Sequence, residues 1–365
     1  MKSRIISFFK ENKWTLFLFC YHLLFVIFAY QIRIERGISD SHFYWAQSFD
    51  INKHSWFDFL DWSANFIVFL NYPLLKIGVP FFIGFLIYGI IGFFGILKWM
   101  QWTDLVFENK FYYKGINLLY LLFLLPNLHF WTAAIGKEPI VFWGIAAVFY
   151  AIALKKYNTF SFIVGSLMVL TLRPHVALML FSAVALVLFF DKNYSLKKRI
   201  SFGVVSFSVL SLLLYLVFQL THIRYWNWKR ITYFNDYSIL SFKYSGSYVP
   251  MLEYNYFYKL FSFNFRPLFY DANSLATLLS SIENIIVLLI HLLGLFFVIK
   301  FYRKMVLPNW VKIAFLFTSI LSILYVQRYA NLGIFMRTKM MFHPFMLVAL
   351  LYIIKQGVVF QKSKS

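Results

Sequence analysis

Long apolar runs, separated by short polar segments, cover most of the chain. These runs lack the alternation of half-buried strands and are typical of membrane-spanning helices. The pattern predicts an all-α integral membrane protein. Several runs fall short of the roughly 20 residues of a straight span, so about ten transmembrane helices is a best count. The predicted spans are 14–30, 79–97, 116–135, 139–154, 160–172, 176–190, 201–220, 284–299, 313–326 and 340–354.

The composition strengthens this interpretation. Of the 365 residues, 61% are hydrophobic and only 13% are charged, whereas about 25% of the residues in a soluble domain are charged. A soluble enzyme, a disordered chain and a disulfide scaffold are therefore excluded, and the one cysteine, Cys20, lies inside the first predicted span. Binding of nucleic acid is not predicted from the net charge of +21, because it needs a basic face on a soluble fold.

The basic residues instead predict the orientation in the membrane. They are densest in segments that face the cytoplasm if the N-terminus does, beginning with Lys2, Arg4 and Lys10. Both termini are therefore predicted to be cytoplasmic. No small-residue cleavage site follows the first apolar run, so it is interpreted as a retained helix rather than a signal peptide.

This orientation leaves two large outer loops, 31–62 and 221–283, which we expect to carry interfacial helices. Segment 63–78 is interpreted as an interfacial or re-entrant helix, because a crossing there would turn the basic excess outward. No repeat or flexible linker divides the chain, and 1–365 is predicted to be a single polytopic membrane domain. No metal-type cluster and no Gly-rich phosphate loop is found, so no metal or cofactor is predicted and any chemistry is expected outside.

The first candidate site is Arg173-Pro174-His175, between two short apolar runs. The preceding run rises only about 20 Å as a helix, which is less than the roughly 30 Å hydrocarbon layer. Arg173 should therefore lie below the outer surface, where its guanidinium could bind phosphate bidentately. A snorkelling arginine at a helix end is the alternative. His175 is a candidate for proton transfer.

A second candidate is the outer turn Gly136-Lys137-Glu138-Pro139. Lys137 could contact an anionic substrate, or Lys137 and Glu138 could simply neutralise each other. Upstream of this turn, Pro126, Asn127 and His129 lie within one predicted span and suggest a broken helix.

A third candidate group is Arg328, Arg337 and Lys339, which lie on the predicted outer side before the last span. Basic residues there contradict the usual orientation rule and suggest anion binding. In the first outer loop, Asp40 is the best candidate for a general base, although a solvated carboxylate is a common alternative.

Four segments carry a resemblance to known proteins: DSHFYW (40–45), PNLHFWTAAIGKEPIVFWG (126–144), RPH (173–175) and NLGIFMRTKMMFHPF (331–345). In pattern and order they resemble O-antigen and exopolysaccharide polymerase-like proteins of bacterial surface-polysaccharide loci, and relatives in the GT-C glycosyltransferase superfamily. The chain departs from GT-C enzymes in lacking an adjacent acidic pair in the first outer loop and a large C-terminal soluble domain.

The resemblance implies glycosyl transfer from a polyprenyl-(pyro)phosphate-linked sugar at the outer face of the bacterial inner membrane. The acidic base of that superfamily maps onto Asp40, and the arginines that contact the carrier pyrophosphate map onto Arg173 and Arg337. The implied partners are the lipid bilayer, the polyprenyl-linked glycan and other polysaccharide-assembly proteins. The polyprenyl carrier is a substrate, and no metal is required in the polymerase branch.

Three other functions remain open at the level of sequence. A membrane O-acyltransferase would resemble this chain in having a histidine in the first span, here His22, but the expected arginine and Ser-Gly turn are absent. A transporter or flippase would show broken helices in two related halves, whereas the interruptions at Pro126 and Pro174 fall in one half. A structural membrane subunit would not need the cationic clusters.

Overall fold

The computed structural model describes residues 13–108, 111–113, 116–221 and 227–362. The N-terminal basic residues Lys2, Arg4 and Lys10 lie outside the described residues. The chain divides into two compact units, Met1–Arg173 and Pro174–Ser365.

Within the described residues, five helices are long and apolar enough to cross a membrane: Lys13–Arg36, Phe81–Phe107, Leu196–Leu220, Leu275–Phe301 and His343–Gln361. Four shorter apolar helices are Glu138–Leu154, Phe160–Leu172, Pro174–Phe189 and Asn309–Tyr325. These helices support the predicted class, an α-helical multi-pass membrane protein. Each predicted span except 116–135 coincides with one of them.

The first unit contains eight of the described α-helices and a short hairpin. The helices are α1 (Lys13–Arg36), α2 (Asp40–Tyr44), α3 (Ala64–Lys76), α4 (Phe81–Phe107), α5 (Leu118–Leu122), α6 (Pro126–Thr132), α7 (Glu138–Leu154) and α8 (Phe160–Leu172). Strands β1 (Tyr112–Tyr113) and β2 (Ile116–Asn117) pair antiparallel. Two 3₁₀ helices, Ile51–Lys53 and Trp56–Phe59, lie in the predicted first outer loop.

The predicted span 116–135 is a broken segment rather than one helix. After β2, the Asn117 side chain accepts a hydrogen bond from the Leu119 amide at 3.1 Å and so begins α5. Pro126 begins α6, because proline fits the first helical position, where an amide hydrogen is not needed. The broken helix predicted from Pro126 is therefore confirmed.

Segment 63–78 does form a helix, α3, of 13 residues. At 1.5 Å per residue it spans about 20 Å, which is less than a hydrocarbon layer. Its interfacial or re-entrant position stays a prediction.

Close helix contacts through small residues hold the core of the first unit together. A Cβ added to Gly92 of α4 would lie 1.9 Å from the Thr132 carbonyl oxygen. Where α7 meets α8, a Cβ on Gly144 would lie 2.6 Å from the carbonyl oxygen of Gly165. Such contacts let apolar helices approach closely where burial of apolar surface gives no driving force.

A buried histidine pair adds polar contacts between α1, α4 and α6. The His22 Nδ1 and His129 Nδ1 atoms are 3.0 Å apart. The Nε2 of His22 lies 2.9 Å from the Gly89 carbonyl oxygen, and the Nε2 of His129 lies 2.8 Å from that of Phe123. A ring nitrogen that carries its hydrogen at such a contact gives a buried carbonyl its hydrogen-bond partner.

The described residues of the second unit form eight α-helices and one 3₁₀ helix, Phe269–Asp271, and an isolated β-bridge pairs Tyr248 with Asn331. The α-helices are α9 (Pro174–Phe189), α10 (Leu196–Leu220), α11 (Trp228–Leu240), α12 (Tyr256–Phe265), α13 (Leu275–Phe301), α14 (Asn309–Tyr325), α15 (Leu332–Lys339) and α16 (His343–Lys362). Helix α13 packs on α16, and α9 packs on both α10 and α14.

The predicted outer loop 221–283 is largely helical, and its end differs from the prediction. Helices α11 and α12 lie within it, and α13 begins at Leu275 rather than at the predicted residue 284. Ser274 caps α13 by accepting a hydrogen bond from the Thr277 amide at 3.3 Å. The polar residues Glu283 and Asn284 are buried inside this helix instead of preceding it.

We expect Gly144→Ala to lower the melting temperature of the purified protein by several degrees. The added methyl group forces α7 away from α8, and overpacking of this kind costs about 1–3 kcal/mol. The measurement is thermal unfolding in detergent, followed by intrinsic fluorescence.

Gly246→Ala is the matched control, because nothing lies within 4 Å of its added Cβ. Equal melting temperatures for the two variants would show that α7 and α8 are not closely packed at Gly144.

Candidate functional site

Two of the predicted candidates, the 136–139 turn and Arg173, meet in the first unit. Arg173 follows the last residue of α8, and its Nη2 donates to Glu138 Oε1 in an ion pair. Both side chains are buried, at 9% and 3% exposure for Arg173 and Glu138. Glu138 therefore binds the distant Arg173, and a buried guanidinium is stabilised by this carboxylate.

The Glu138 carboxylate is held by the local backbone. Glu138 is the first residue of α7, where a negative charge is favoured by the helix dipole. Gly136 allows a close approach, because a Cβ there would lie 2.9 Å from Glu138 Oε2. The turn thus keeps the carboxylate against its own backbone while it binds Arg173.

Lys137 points to another neighbour. Its Nζ donates to Ser63 Oγ at 2.7 Å. The Ser63 amide donates to the Thr171 carbonyl at 2.9 Å, near the end of α8. The start of α3, the 136–139 turn and the end of α8 are therefore connected by hydrogen bonds.

Asp40 lies on a short helix that is anchored to the same turn. It begins α2 and is exposed. The next residue, Ser41, is buried and donates through Oγ to the Ile135 carbonyl at 2.8 Å. The other end of α2 is fixed as well, because Asn71 Nδ2 donates to the Tyr44 carbonyl at 2.9 Å. Three predicted site residues, Asp40, Lys137 and Arg173, thus belong to elements that contact one another.

A further cation at this end of the first unit was not singled out from the sequence. Arg33, near the end of α1, is buried at 9% exposure. Its Cζ lies 4.9 Å from the ring centroid of Phe130 and 5.7 Å from that of Trp131. Partial burial, together with the charge of Arg33, lowers the pKa of His42 on α2. The neutral form of His42 is therefore favoured beside this guanidinium.

His175 belongs to the second unit. It is the second residue of α9, and its half-buried ring lies 6.0 Å from the ring of Tyr325, measured between centroids. The His175 ring therefore makes an edge-on contact with an aromatic residue of α14. Any proton transfer by His175 would take place beside this tyrosine.

Lys339 has a hydrogen-bond acceptor for each of its three donors. Its Nζ donates to the carbonyls of Arg266 at 2.8 Å and Asn264 at 3.3 Å, and to Asn284 Oδ1 at 3.0 Å. The two carbonyls belong to the end of α12, so the ammonium group caps that helix. Three acceptors occupy the three donors of the lysine, which supports a structural role.

The Asn264 side chain extends this network. Its Oδ1 lies 3.2 Å from His343 Nε2 and accepts from Ser322 Oγ at 3.0 Å. We call Asn264, Asn284, Lys339 and His343 the buried-lysine cluster. The contacts of Asn264 and Asn284 were not predicted, because a single asparagine in an apolar run does not indicate which distant residue it contacts.

The remaining two predicted cations have different surroundings. Arg328 lies with its Cζ 4.0 Å from the ring centroid of Phe234, a cation–π contact with α11. Arg337 is half-buried on α15. In the described part of the chain, no three His, Cys, Asp or Glu residues are grouped so that they could hold a metal ion.

Comparison with known proteins gave no match to a family model, to a curated protein or to a solved structure.

The buried-lysine cluster should make the stability of the folded protein depend on pH. Burial lowers the pKa of Lys339 from 10.5 to about 7, and the charge of Glu283 opposes this shift. Above pH 7 the unfolded chain holds a proton that the folded protein releases, so the contribution of this residue to the free energy of unfolding rises with pH. The slope is at most about 1.4 kcal/mol per pH unit.

We therefore expect the melting temperature of the wild type, relative to Lys339→Gln, to rise between pH 7 and pH 9. Thermal unfolding across this range measures the difference. The exposed Lys304→Gln is the control and should follow the wild type. Parallel pH profiles for Lys339→Gln and the wild type would contradict the buried site.

Proposed function

We propose that this chain is a membrane glycosyltransferase of cell-surface polysaccharide assembly. It uses a polyprenyl-(pyro)phosphate-linked sugar or oligosaccharide at the outer face of the bacterial inner membrane. The proposal includes about ten spans and cytoplasmic termini, since only then do the 31–62 loop and the 136–139 turn share the outer side.

One observation carries the proposal. Asp40 stands next to Ser41, which is hydrogen-bonded to the turn that bears Lys137 and Glu138, and Glu138 binds Arg173. An exposed carboxylate and two cations are thereby brought to one end of one unit. A carboxylate beside cations is what transfer from a diphosphate leaving group requires.

Each charged residue has a separate role in the proposed reaction. Asp40 accepts the proton of an acceptor hydroxyl as its oxygen bonds to the anomeric carbon of the donor sugar. The bond from that carbon to the diphosphate oxygen breaks, and its electron pair leaves with the diphosphate. Lys137 and Arg173 then stabilise the added negative charge.

Glu138 keeps Arg173 oriented before substrate arrives. A guanidinium has five N–H donors, so one carboxylate contact does not exhaust its capacity for a phosphate. Lysine offers the same charge but not the planar fork, which is why the two side chains should not be interchangeable at this position.

The other predicted residues have secondary places in the proposal. His175 is an alternative proton acceptor, and Arg328 and Arg337 are candidate contacts for the anionic carrier. The three contacts of Lys339 favour a role in holding α12 rather than in binding phosphate.

We expect Asp40→Asn to abolish transfer, with a loss of about 100-fold or more, because general-base catalysis typically contributes at least that much. The exposed position of Asp40 should leave folding unchanged. The measurement is the gel profile of surface glycan in a deletion strain complemented with each variant, together with the amount of protein in the membrane.

Asp50→Asn is the matched control in the same predicted outer loop. Asp50 is exposed and only caps a 3₁₀ helix by accepting from the Asn52 amide, which asparagine can also do. Full glycan length with Asp40→Asn would remove this residue from the mechanism.

We expect Arg173→Lys to fold normally and to lose most of the transfer activity. It keeps the charge that Glu138 needs, but it loses the bidentate phosphate contact. Arg173→Ala should also reduce stability, since it leaves a buried carboxylate without its partner, a change that costs about 3–5 kcal/mol.

The same glycan profile and the melting temperature of each purified variant distinguish these effects. Wild-type glycan from Arg173→Lys would exclude bidentate phosphate binding. Unaltered glycan in the deletion strain itself would favour a transporter or a structural subunit.

A further inference from the structure

The second unit contains an apolar groove that no part of the proposed reaction uses. It lies between α9 and α10 and has a volume of about 540 Å³. One wall is formed by Ser182, Ala185 and Phe189, and the other includes Gly203, Val204 and Leu210.

At one point in the groove a glycine of α10 lies directly against an aromatic ring of α9. A Cβ on Gly203 would lie 2.8 Å from the ring of Phe189, so a larger residue would have to displace that ring. Only Leu213 of α10 is buried, and the rest of this apolar helix is at least partly exposed. In a membrane such a surface is covered by lipid or by another helix.

The length of the groove fits one leaflet. Helix α10 rises roughly 15 Å between Ile200 and Leu210, the two ends of its lining. This is about half of the 30 Å hydrocarbon layer. A phospholipid tail therefore matches the groove, whereas a polyprenyl chain is far longer than one leaflet.

One end of the groove is strongly basic. Arg199 is adjacent to the lining residue Ile200, and its Nε donates to the carbonyl of Phe189 at 2.6 Å. Lys192, Lys197 and Lys198 are exposed nearby in sequence. The one acidic residue of this turn, Asp191, accepts from Asn309 Nδ2 at 2.7 Å, so its carboxylate faces α14.

Two of these cations occupy an unfavourable position for the helix itself. Lys197 and Lys198 lie in the first turn of α10, where the helix dipole disfavours positive charge. Their presence there is favourable if an anion binds beside them. Segment 191–200 is also predicted on the cytoplasmic side, whose leaflet carries the anionic lipids.

We propose that the groove between α9 and α10 binds an anionic phospholipid of the cytoplasmic leaflet. One acyl chain lies between Phe189 and Leu210, and the phosphate is bound by Lys197, Lys198 and Arg199. This site is separate from the proposed glycosyl transfer and does not depend on it.

The test uses the full chain in lipid nanodiscs that contain phosphatidylglycerol with a diazirine in its tail. After illumination, cross-linked peptides are mapped by mass spectrometry. We expect labelling within 182–210 to exceed that from a matched photoreactive phosphatidylcholine on the order of tenfold, because basic residues at a membrane surface attract anionic lipid.

Two variants separate the headgroup contact from the tail contact. Changing Lys197, Lys198 and Arg199 together to glutamine should reduce labelling to the phosphatidylcholine level. Ala185→Phe, which keeps every charge but fills the groove, should remove the labelling within the groove. The melting temperature of each variant shows whether it folds. If one variant is misfolded, the variant that folds provides the test.

A matched triple variant controls for general basic charge. Lys300, Arg303 and Lys304 are exposed residues of the same unit, in a segment predicted on the same side of the membrane. Their change to glutamine should leave labelling of 182–210 intact.

Equal labelling by the two lipids, or full labelling of the triple variant at 197–199, would overturn the proposal. Loss of phosphatidylglycerol labelling when an equal amount of polyprenyl phosphate is added would assign the groove to the glycan carrier instead.

Discussion

Charge that is buried away from water has to be neutralised by a nearby partner, and the ion pair between Arg173 and Glu138 is where this constraint acts on the first unit. The pair joins the end of α8 to the start of α7, two helices that also meet through Gly144 and Gly165. Without the carboxylate, the guanidinium would have to leave the protein interior. Separate hydrogen bonds bring α3 and α2 to the same place: Lys137 donates to Ser63, and Ser41 donates to the Ile135 carbonyl.

The same constraint acts in the second unit with different chemistry. Neutral groups bind the ammonium of Lys339: two backbone carbonyls and an asparagine oxygen receive its three hydrogens. The carbonyls are those that the end of α12 leaves unsatisfied. A buried cation in an apolar protein can therefore be structural, and its burial alone does not identify a binding site.

The sequence was sufficient for the helical membrane class, because long apolar runs identify spans without reference to any partner. It also predicted the break at Pro126, where proline chemistry is local. It was not sufficient for the start of α13, since the buried Glu283 and Asn284 resemble loop residues until Asn284 is seen to contact Lys339. The pairing of Glu138 with Arg173 is likewise a tertiary contact, between residues 35 positions apart in the sequence.

The most direct test of the proposed glycosyl transfer is to measure the transfer of sugar by the purified protein in proteoliposomes. The donor is a radiolabelled sugar on polyprenyl diphosphate, offered with an unlabelled polyprenyl-linked acceptor. We expect label to move into a longer lipid-linked glycan with the wild type, and no such product with Asp40→Asn. Label that crosses the bilayer while its carrier linkage stays intact would contradict glycosyl transfer and indicate transport.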